Sequence, residues 1–315
     1  MRKSITLILT ATVLTITIAA PGSAGPLRDR IRAKMAERMM MAKGNAADAN
    51  APATAPSATI SYGKDPLQSL DYWQAQSGTD PAPLVVFVHG GGWKRGSKDN
   101  ATGKWKPAHF GAAGYNFTSI NYRLVPEATV EQQAADVASA LKALLDRAGE
   151  LHIDKRRVVI MGHSAGAHLV ALVGTDESYL KGAGLNFATL AGVVPIDGAA
   201  YDVPAQMTEG PKMMQQTYAQ AFGSDVARQK ALSPTMQAAS PNAARFLLLH
   251  VQRPDGVRQA EALEKALKAG GSQVERDGFP GQGLMGHMEI NRRLGDPEYA
   301  ATGALDKWLK GVFGS

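Results

Sequence analysis

Ser164 lies in Gly162-His163-Ser164-Ala165-Gly166, a setting that can turn a hydroxyl into a nucleophile. The run Arg157-Val158-Val159-Ile160-Met161 before it reads as a buried strand. Ala167-His168-Leu169-Val170-Ala171-Leu172 after it reads as a helix. Strand, G-x-S-x-G and helix in that order require a sharp, strained turn that only small flanking residues allow. The turn lifts the hydroxyl above the sheet, with helix amides beneath the developing negative charge. A bare G-x-S-x-G also occurs as a plain turn; the flanking strand and helix favour a catalytic serine.

A second motif, His89-Gly90-Gly91-Gly92-Trp93, follows the apolar run Leu84-Val85-Val86-Phe87-Val88. Acyl transfer passes through a tetrahedral intermediate whose oxyanion needs amide donors, and glycines let a backbone approach closely with N–H groups inward. Gly91 and Gly92 are candidate donors, and Ala165, next to the serine, is a third. A glycine triplet also makes a flexible turn or a phosphate cradle. A phosphate loop would end in Gly-Lys-Ser/Thr, whereas Trp93 stands here. His89 adjoins the donors and reads as a brace for the loop rather than a base.

HGGGWKRGSK (89–98) together with GHSAGAHL (162–169) resembles the esterase and lipase branch of the α/β-hydrolases. Within it the chain looks most like the feruloyl-esterase-like and kynurenine-formamidase-like carboxylic ester hydrolases. Ser119-Ile120-Asn121-Tyr122-Arg123-Leu124 resembles the strand after the first helix of that group, and the likeness runs over residues 60–312. One departure is His163, where many hormone-sensitive-lipase relatives carry Asp. The resemblance implies an α/β-hydrolase fold, a mostly parallel eight-stranded sheet with helices on both faces, and an acid followed by a histidine late in the chain.

For the acid, Asp255 is the only carboxylate between the late strand Ala244–His250 and the helix carrying Glu261. Its Pro254-Asp255-Gly256 context is equally a turn or helix-cap signal. Asp197, in Val194-Pro195-Ile196-Asp197-Gly198, is the alternative. For the base, His287 lies in the glycine-rich stretch Gly281–Met288, expected as a loop between the last strand and the terminal helix. His109, His152 and His168 lack a matching motif, His250 reads as structural, and His163 sits on a turn expected to aim its side chain elsewhere. His287 would take the Ser164 proton while Asp255 holds the imidazole tautomer. No metal or organic cofactor is called for, and histidines without paired ligand spacing speak against a catalytic zinc.

The elements that must position these residues are legible as alternation. Strand-like runs fall at Ala58–Tyr62, Ser69–Trp73, Leu84–His89, Asn116–Tyr122, Arg157–Met161, Leu190–Ile196, Ala244–His250 and Gln273–Gly278. Helical segments lie between them, clearest at Thr129–Gly149, Gly256–Ala269 and Glu298–Val312. Such alternation predicts a mostly parallel sheet covered on both faces. Residues 200–243 break the rhythm and read as an insertion over the sheet. Trp93, Tyr201 and Met213-Met214 are candidates for an acyl pocket, although each residue type more often packs a core.

Residues 1–24 read as an export signal: Arg2 and Lys3, an apolar stretch Ile5–Ala20, and small residues before a cut after Ala24. As a helix that stretch spans about 24 Å, short of a ~30 Å hydrocarbon core, so a periplasmic or secreted location without an integral membrane span is expected. Residues 25–58 read as a basic leader and flexible linker, and 59–315 as the catalytic domain. Of the net charge of +6, +5 falls within the first fifty residues. The remainder is nearly neutral, which excludes a nucleic-acid binder. Cysteine is absent, so disulfides play no part. An exported serine hydrolase acting on a small or aryl ester is the leading expectation. An arylformamidase-type amide hydrolase on the same residues is its nearest rival, and a catalytically silent binding module is the alternative from another class.

Overall fold

The computed structural model describes residues 51, 54–239 and 241–314. The expected export signal and most of the expected leader and linker lie outside the described residues. The end of the stretch read as linker is tied down: the Trp73 indole donates to the Thr54 carbonyl at 3.0 Å, and the Ser57 amide to Tyr72 at 2.7 Å.

All eight expected strands form: β1 (Ala58–Ser61), β2 (Ser69–Trp73), β3 (Ala82–Val88), β4 (Asn116–Ile120), β5 (Ile153–His163), β6 (Gly192–Ile196), β7 (Arg245–Val251) and β8 (Gln273–Phe279). They build one sheet ordered β1-β2-β4-β3-β5-β6-β7-β8. β1 and β2 are antiparallel additions at one edge, and every pair from β4 to β8 is parallel.

Successive side chains of a strand face opposite ways, and here both ways are buried. Leu84, Val86 and Val88 of β3, Val158 and Ile160 of β5, and Phe246 and Leu248 of β7 enter one apolar cluster. Val85 and Phe87, Val159 and Met161, and Leu247 and Leu249 enter the other. Continuous apolar runs therefore mark strands covered on both faces.

The helices are α1 (Trp105–Ala112), α2 (Val130–Asp146), α3 (Ala165–Thr175), α4 (Glu177–Gly182), α5 (Val203–Glu209), α6 (Gln215–Phe222), α7 (Val226–Ala231), α8 (Pro234–Gln237), α9 (Pro254–Ala269), α10 (Gly283–Arg293) and α11 (Ala300–Phe313). The first cluster takes Leu141 of α2, Leu169 of α3 and Leu263 of α9. The second takes Phe110 of α1, Ile290 of α10 and Leu305 of α11. α2 starts at a capping box: Thr129 Oγ1 accepts from the Gln132 amide, and the Gln132 side chain accepts from the Thr129 amide. The insertion expected at 200–243 contributes α5 to α8 between β6 and β7.

From β3 the chain passes to β4 on one side and then crosses to β5 on the other, so the strand order reverses between β3 and β5. Ligand sites of open α/β sheets lie outside the carboxyl ends of strands at such a point. β3 and β5 pair with Val88 opposite Gly162, which sets the glycine triplet beside Ser164.

Candidate active site

Ser164 occupies the turn between β5 and α3 with φ 57° and ψ −115°. L-residues rarely adopt that conformation, and its cost persists only where the surroundings impose it. The flanking glycines show how. A Cβ at Gly162 would lie 2.3 Å from the Gly166 carbonyl oxygen, and one at Gly166 would lie 2.1 Å from that of Val88. The motif therefore packs backbone on backbone. On the other side, a Cβ at Gly90 would come within 3.0 Å of the Ser164 Cβ, so the glycine triplet abuts the serine. Ala165 is the first residue of α3, whose leading amides have no partner inside the helix.

Three side chains meet at the carboxyl edge. Ser164 Oγ and His287 Nε2 are 2.9 Å apart, and His287 Nδ1 donates to Asp197 Oδ2 at 2.6 Å. Asp197 follows β6 directly, with φ 43°. Its side chain is wholly buried, Oδ1 accepts the Val251 amide at 3.1 Å, and Arg253 Nε donates to Oδ2 at 2.9 Å. Burial pushes the Asp197 carboxyl up, but the His287 hydrogen bond and the His287 and Arg253 charges outweigh it and hold the group well below the usual carboxylate range.

The acid expected at Asp255 is corrected by this geometry. Pro254 opens α9 and places Asp255 in its first turn, a favourable site for proline and for an acidic group. The Asp255 carboxylate there accepts from Arg253 Nη1 at 3.2 Å and from Gln206 Nε2 at 3.4 Å, while Asp197 faces the imidazole. The loop expected around His287 is also corrected: His287 lies in the helix α10. Glycine is a weak helix former, but at position 286 it is needed for contact, since a Cβ there would lie 2.5 Å from the Gly281 carbonyl carbon. His163, expected to point away, donates from Nε2 to the His287 carbonyl at 2.8 Å, with ring centroids 4.4 Å apart. Burial, and then the neighbouring His287, push its pKa well down, so it stays neutral.

The glycine triplet is held from beneath. His89 donates from Nδ1 to the Gly90 carbonyl at 2.8 Å and stacks on Tyr122, whose hydroxyl donates to the His89 carbonyl at 2.9 Å. Arg123, next in the chain, makes a two-pronged pair with the buried Asp136 of α2 at 2.7 and 2.9 Å. Gly91 has φ 131° and lies so close to the Arg95 carbonyl that no side chain fits. Trp93 is 1% exposed and packs on His168, Tyr218 and Phe222. Trp93 and the buried Tyr201 are thus core residues. Met213 is exposed, and the Met214 methyl would lie 3.8 Å from a Cβ at Gly92. Of the expected pocket residues, Met214 approaches the glycine triplet and Tyr201 packs against Gly198 beside Asp197.

Among the described residues no cluster of His, Cys, Asp or Glu could hold a metal ion, and no helix is long and apolar enough to cross a membrane. No sequence motif marks Arg253 or the inward-facing His163, and the signal for Asp197 is its position at the carboxyl end of a central strand.

Comparison with known proteins agrees with this architecture. Among solved structures, esterase B from Lactobacillus rhamnosis superposes with a TM-score of 0.69 at 20% identity, covering 91% of this chain and 95% of that one. That likeness establishes the α/β-hydrolase fold. Kynurenine formamidase of Danio rerio is 26% identical over 257 residues, 79% of this chain and 80% of that protein. Esterase LipC of Mycobacterium tuberculosis is 36% identical over 119 residues, 36% of this chain and 28% of the relative. The chain spans only 23% to 28% of the length of LipC and two further curated relatives. A model of the BD-FAE family matches residues 70–250. With its eight-stranded sheet and its serine turn beside a glycine triplet, the chain belongs to the BD-FAE family of the α/β-hydrolases.

Proposed function

We propose that the chain is a serine hydrolase that cleaves carboxylic esters of small molecules through an acyl-enzyme intermediate. The observation that carries this is the unbroken hydrogen-bond line Ser164–His287–Asp197, with spacings of 2.9 and 2.6 Å. Ser164 Oγ attacks the ester carbonyl carbon as its proton moves to His287 Nε2. Asp197 accepts the Nδ1 proton in a hydrogen bond, which fixes the tautomer and stabilises the imidazolium. The amides of Gly91, Gly92 and Ala165 receive the oxyanion, and each such donor typically lowers the barrier by about 3–4 kcal/mol. His287 then protonates the departing alkoxide. Water attacks the acyl-serine with His287 again taking the proton, the acid departs and Ser164 is restored.

Leu284, Met285 and Met288 stand exposed on α10 within a turn of His287, and Met213 is exposed beside Met214. An apolar rim of this kind suits an ester with an aryl or alkyl portion. The segment 1–24 supports a periplasmic or secreted site of action.

A formamide-cleaving reading is favoured by one observation, the match to kynurenine formamidase along most of both chains. Amide and ester hydrolysis share the tetrahedral intermediate, so substrates must separate them. A fluorophosphonate probe is expected to label the wild type and to fail on Ser164→Ala and His287→Ala. A panel of p-nitrophenyl esters and N-formyl anilides then decides the class. Labelling that survives Ser164→Ala would refute the mechanism, and turnover of the anilides alone would replace ester by formamide.

A further inference from the structure

Arg253 has no place in the mechanism above, yet it touches the proposed acid directly. It is 9% exposed, and its Nε donates to Asp197 Oδ2, the same oxygen that accepts from His287 Nδ1. Its Nη2 reaches the Gly198 carbonyl at 3.2 Å, and its Nη1 reaches Asp255 Oδ2 at 3.2 Å. A guanidinium fork bound to both the side chain and the backbone around Asp197 fixes that carboxylate. It also brings a permanent positive charge to the oxygen that must stabilise an imidazolium.

We propose that Arg253 and Asp255 are positioning residues: Arg253 clamps Asp197 against His287, and Asp255 returns the negative charge that Arg253 cancels. Together they set the pH below which His287 stops accepting the serine proton. The inference rests on the proposed Ser164–His287–Asp197 mechanism.

With His287 neutral, Asp197, Arg253 and Asp255 carry one net negative charge, and protonating His287 brings the cluster to neutrality. Without Asp255 the cluster starts neutral and becomes positive, so the imidazolium is disfavoured. Without the Arg253 charge it starts doubly negative, and the imidazolium is favoured.

The other titratable groups around the cluster and on α10 leave this balance intact. From β5, His163 is kept neutral by burial. From the insertion, Tyr201 and Tyr218 have pKa values raised by burial and by the nearby carboxylates Asp197 and Asp255 respectively, and stay protonated. Tyr299, which leads into α11, is likewise raised to about 12 by burial. Lys106 of α1 bears on His163 as a fixed cation. Glu289, Arg292 and Arg293 follow His287 on α10, the first and last of them paired with each other.

The test is kcat/KM against pH, from about pH 5 to 9, on p-nitrophenyl acetate read where phenol and phenolate absorb equally. The acid limb reports the free enzyme's essential base. Asp255→Asn is expected to move that limb down by about half a pH unit, and Arg253→Gln to move it up by about one. Asp255→Glu and Arg253→Lys, which keep the charge, should return the limb to the wild-type position even where kcat falls. If Arg253→Gln does not fold, the two Asp255 variants carry the test. An Asp255→Asn limb that coincides with wild type, or moves upward, overturns the proposal whatever happens to kcat. Hydrolysis that survives Ser164→Ala would instead overturn the mechanism underneath, a failure visible without any Asp255 or Arg253 variant.

Discussion

Asp197 and Asp255 share one guanidinium, but they hold different ends of it. Asp197 is wholly buried and accepts from His287, Val251 and Arg253, whereas Asp255 keeps some exposure at the head of α9. Asp197→Asn presents an amide that cannot hold the imidazole tautomer, and kcat is expected to fall about 10³–10⁴-fold. It also strips Arg253 of its buried partner, at a cost of about 3–5 kcal/mol in stability. Asp255→Asn is expected to lose less than about tenfold in kcat, because its influence passes through Arg253. Steady-state kinetics on a p-nitrophenyl ester, with urea unfolding of both variants, checks the contrast; equal losses would return Asp255 to the acid role. The serine turn and the glycine triplet were readable because only small residues permit their backbone contacts. The choice between two aspartates was not, since both lie between serine and histidine in chain order. What separates them is tertiary: a positive φ that turns Asp197 inward, and a proline at the first position of α9 that carries Asp255 into the helix.

Elements that carry these residues were legible in proportion to their burial. The central strands β3, β5, β6 and β7 are legible because both faces of the sheet are covered there, which produces long apolar runs. α10 is not legible as a helix because Gly281, Gly283 and Gly286 argue against one locally, and the contacts that hold it come from elsewhere. One such contact is Lys106, fully buried on α1 with its ammonium 4.8 Å from the centre of the Phe87 ring. It donates to the Thr102 carbonyl at 2.6 Å and to the carbonyl and side-chain oxygens of Asn291 on α10. A cation at a helix C-terminus favours the helix dipole, and here it also ties α10 to the segment after the glycine triplet. Lys106→Met keeps the stem but removes those bonds, at a cost of about 3 kcal/mol. In a domain of this size that is a fall in Tm of about 6–12 °C. Differential scanning calorimetry measures it, with fluorophosphonate labelling expected to slow as α10 loosens. A Tm within about 2 °C of wild type would show that Lys106 does not hold the two elements together.

Across the whole molecule, three histidines are buried close to the site and kept neutral: His89 under the glycine triplet, His163 against His287, and His168 beneath Trp93. Burial pushes His89 and His168 down to about 4, and His163 well below its ordinary value of 6.5. Above pH 6.5 these rings are neutral in both the folded and unfolded chain, and their contribution to stability is fully present. As pH falls from 6.5 toward 4, the unfolded chain takes up protons that the folded chain refuses, so stability is lost through that window. Three such groups give a slope near pH 5 of about 4 kcal/mol per pH unit. Asp197, held below the usual carboxylate range, adds its loss at lower pH, below about 4. The expected profile is therefore level above neutrality and steep from pH 6.5 downward. His168→Gln, which removes one titrating ring, should lessen the slope by about 1.4 kcal/mol per pH unit. Urea unfolding at a series of pH values tests this; a slope unchanged by the substitution would mean that His168 binds its proton in the folded state. Loss of activity at low pH and loss of the fold differ in kind. Protonation of His287 is reversed at once on returning to neutral pH, whereas unfolding recovers only at the refolding rate. A pH jump after incubation near pH 5 therefore separates a switched-off base from a lost fold.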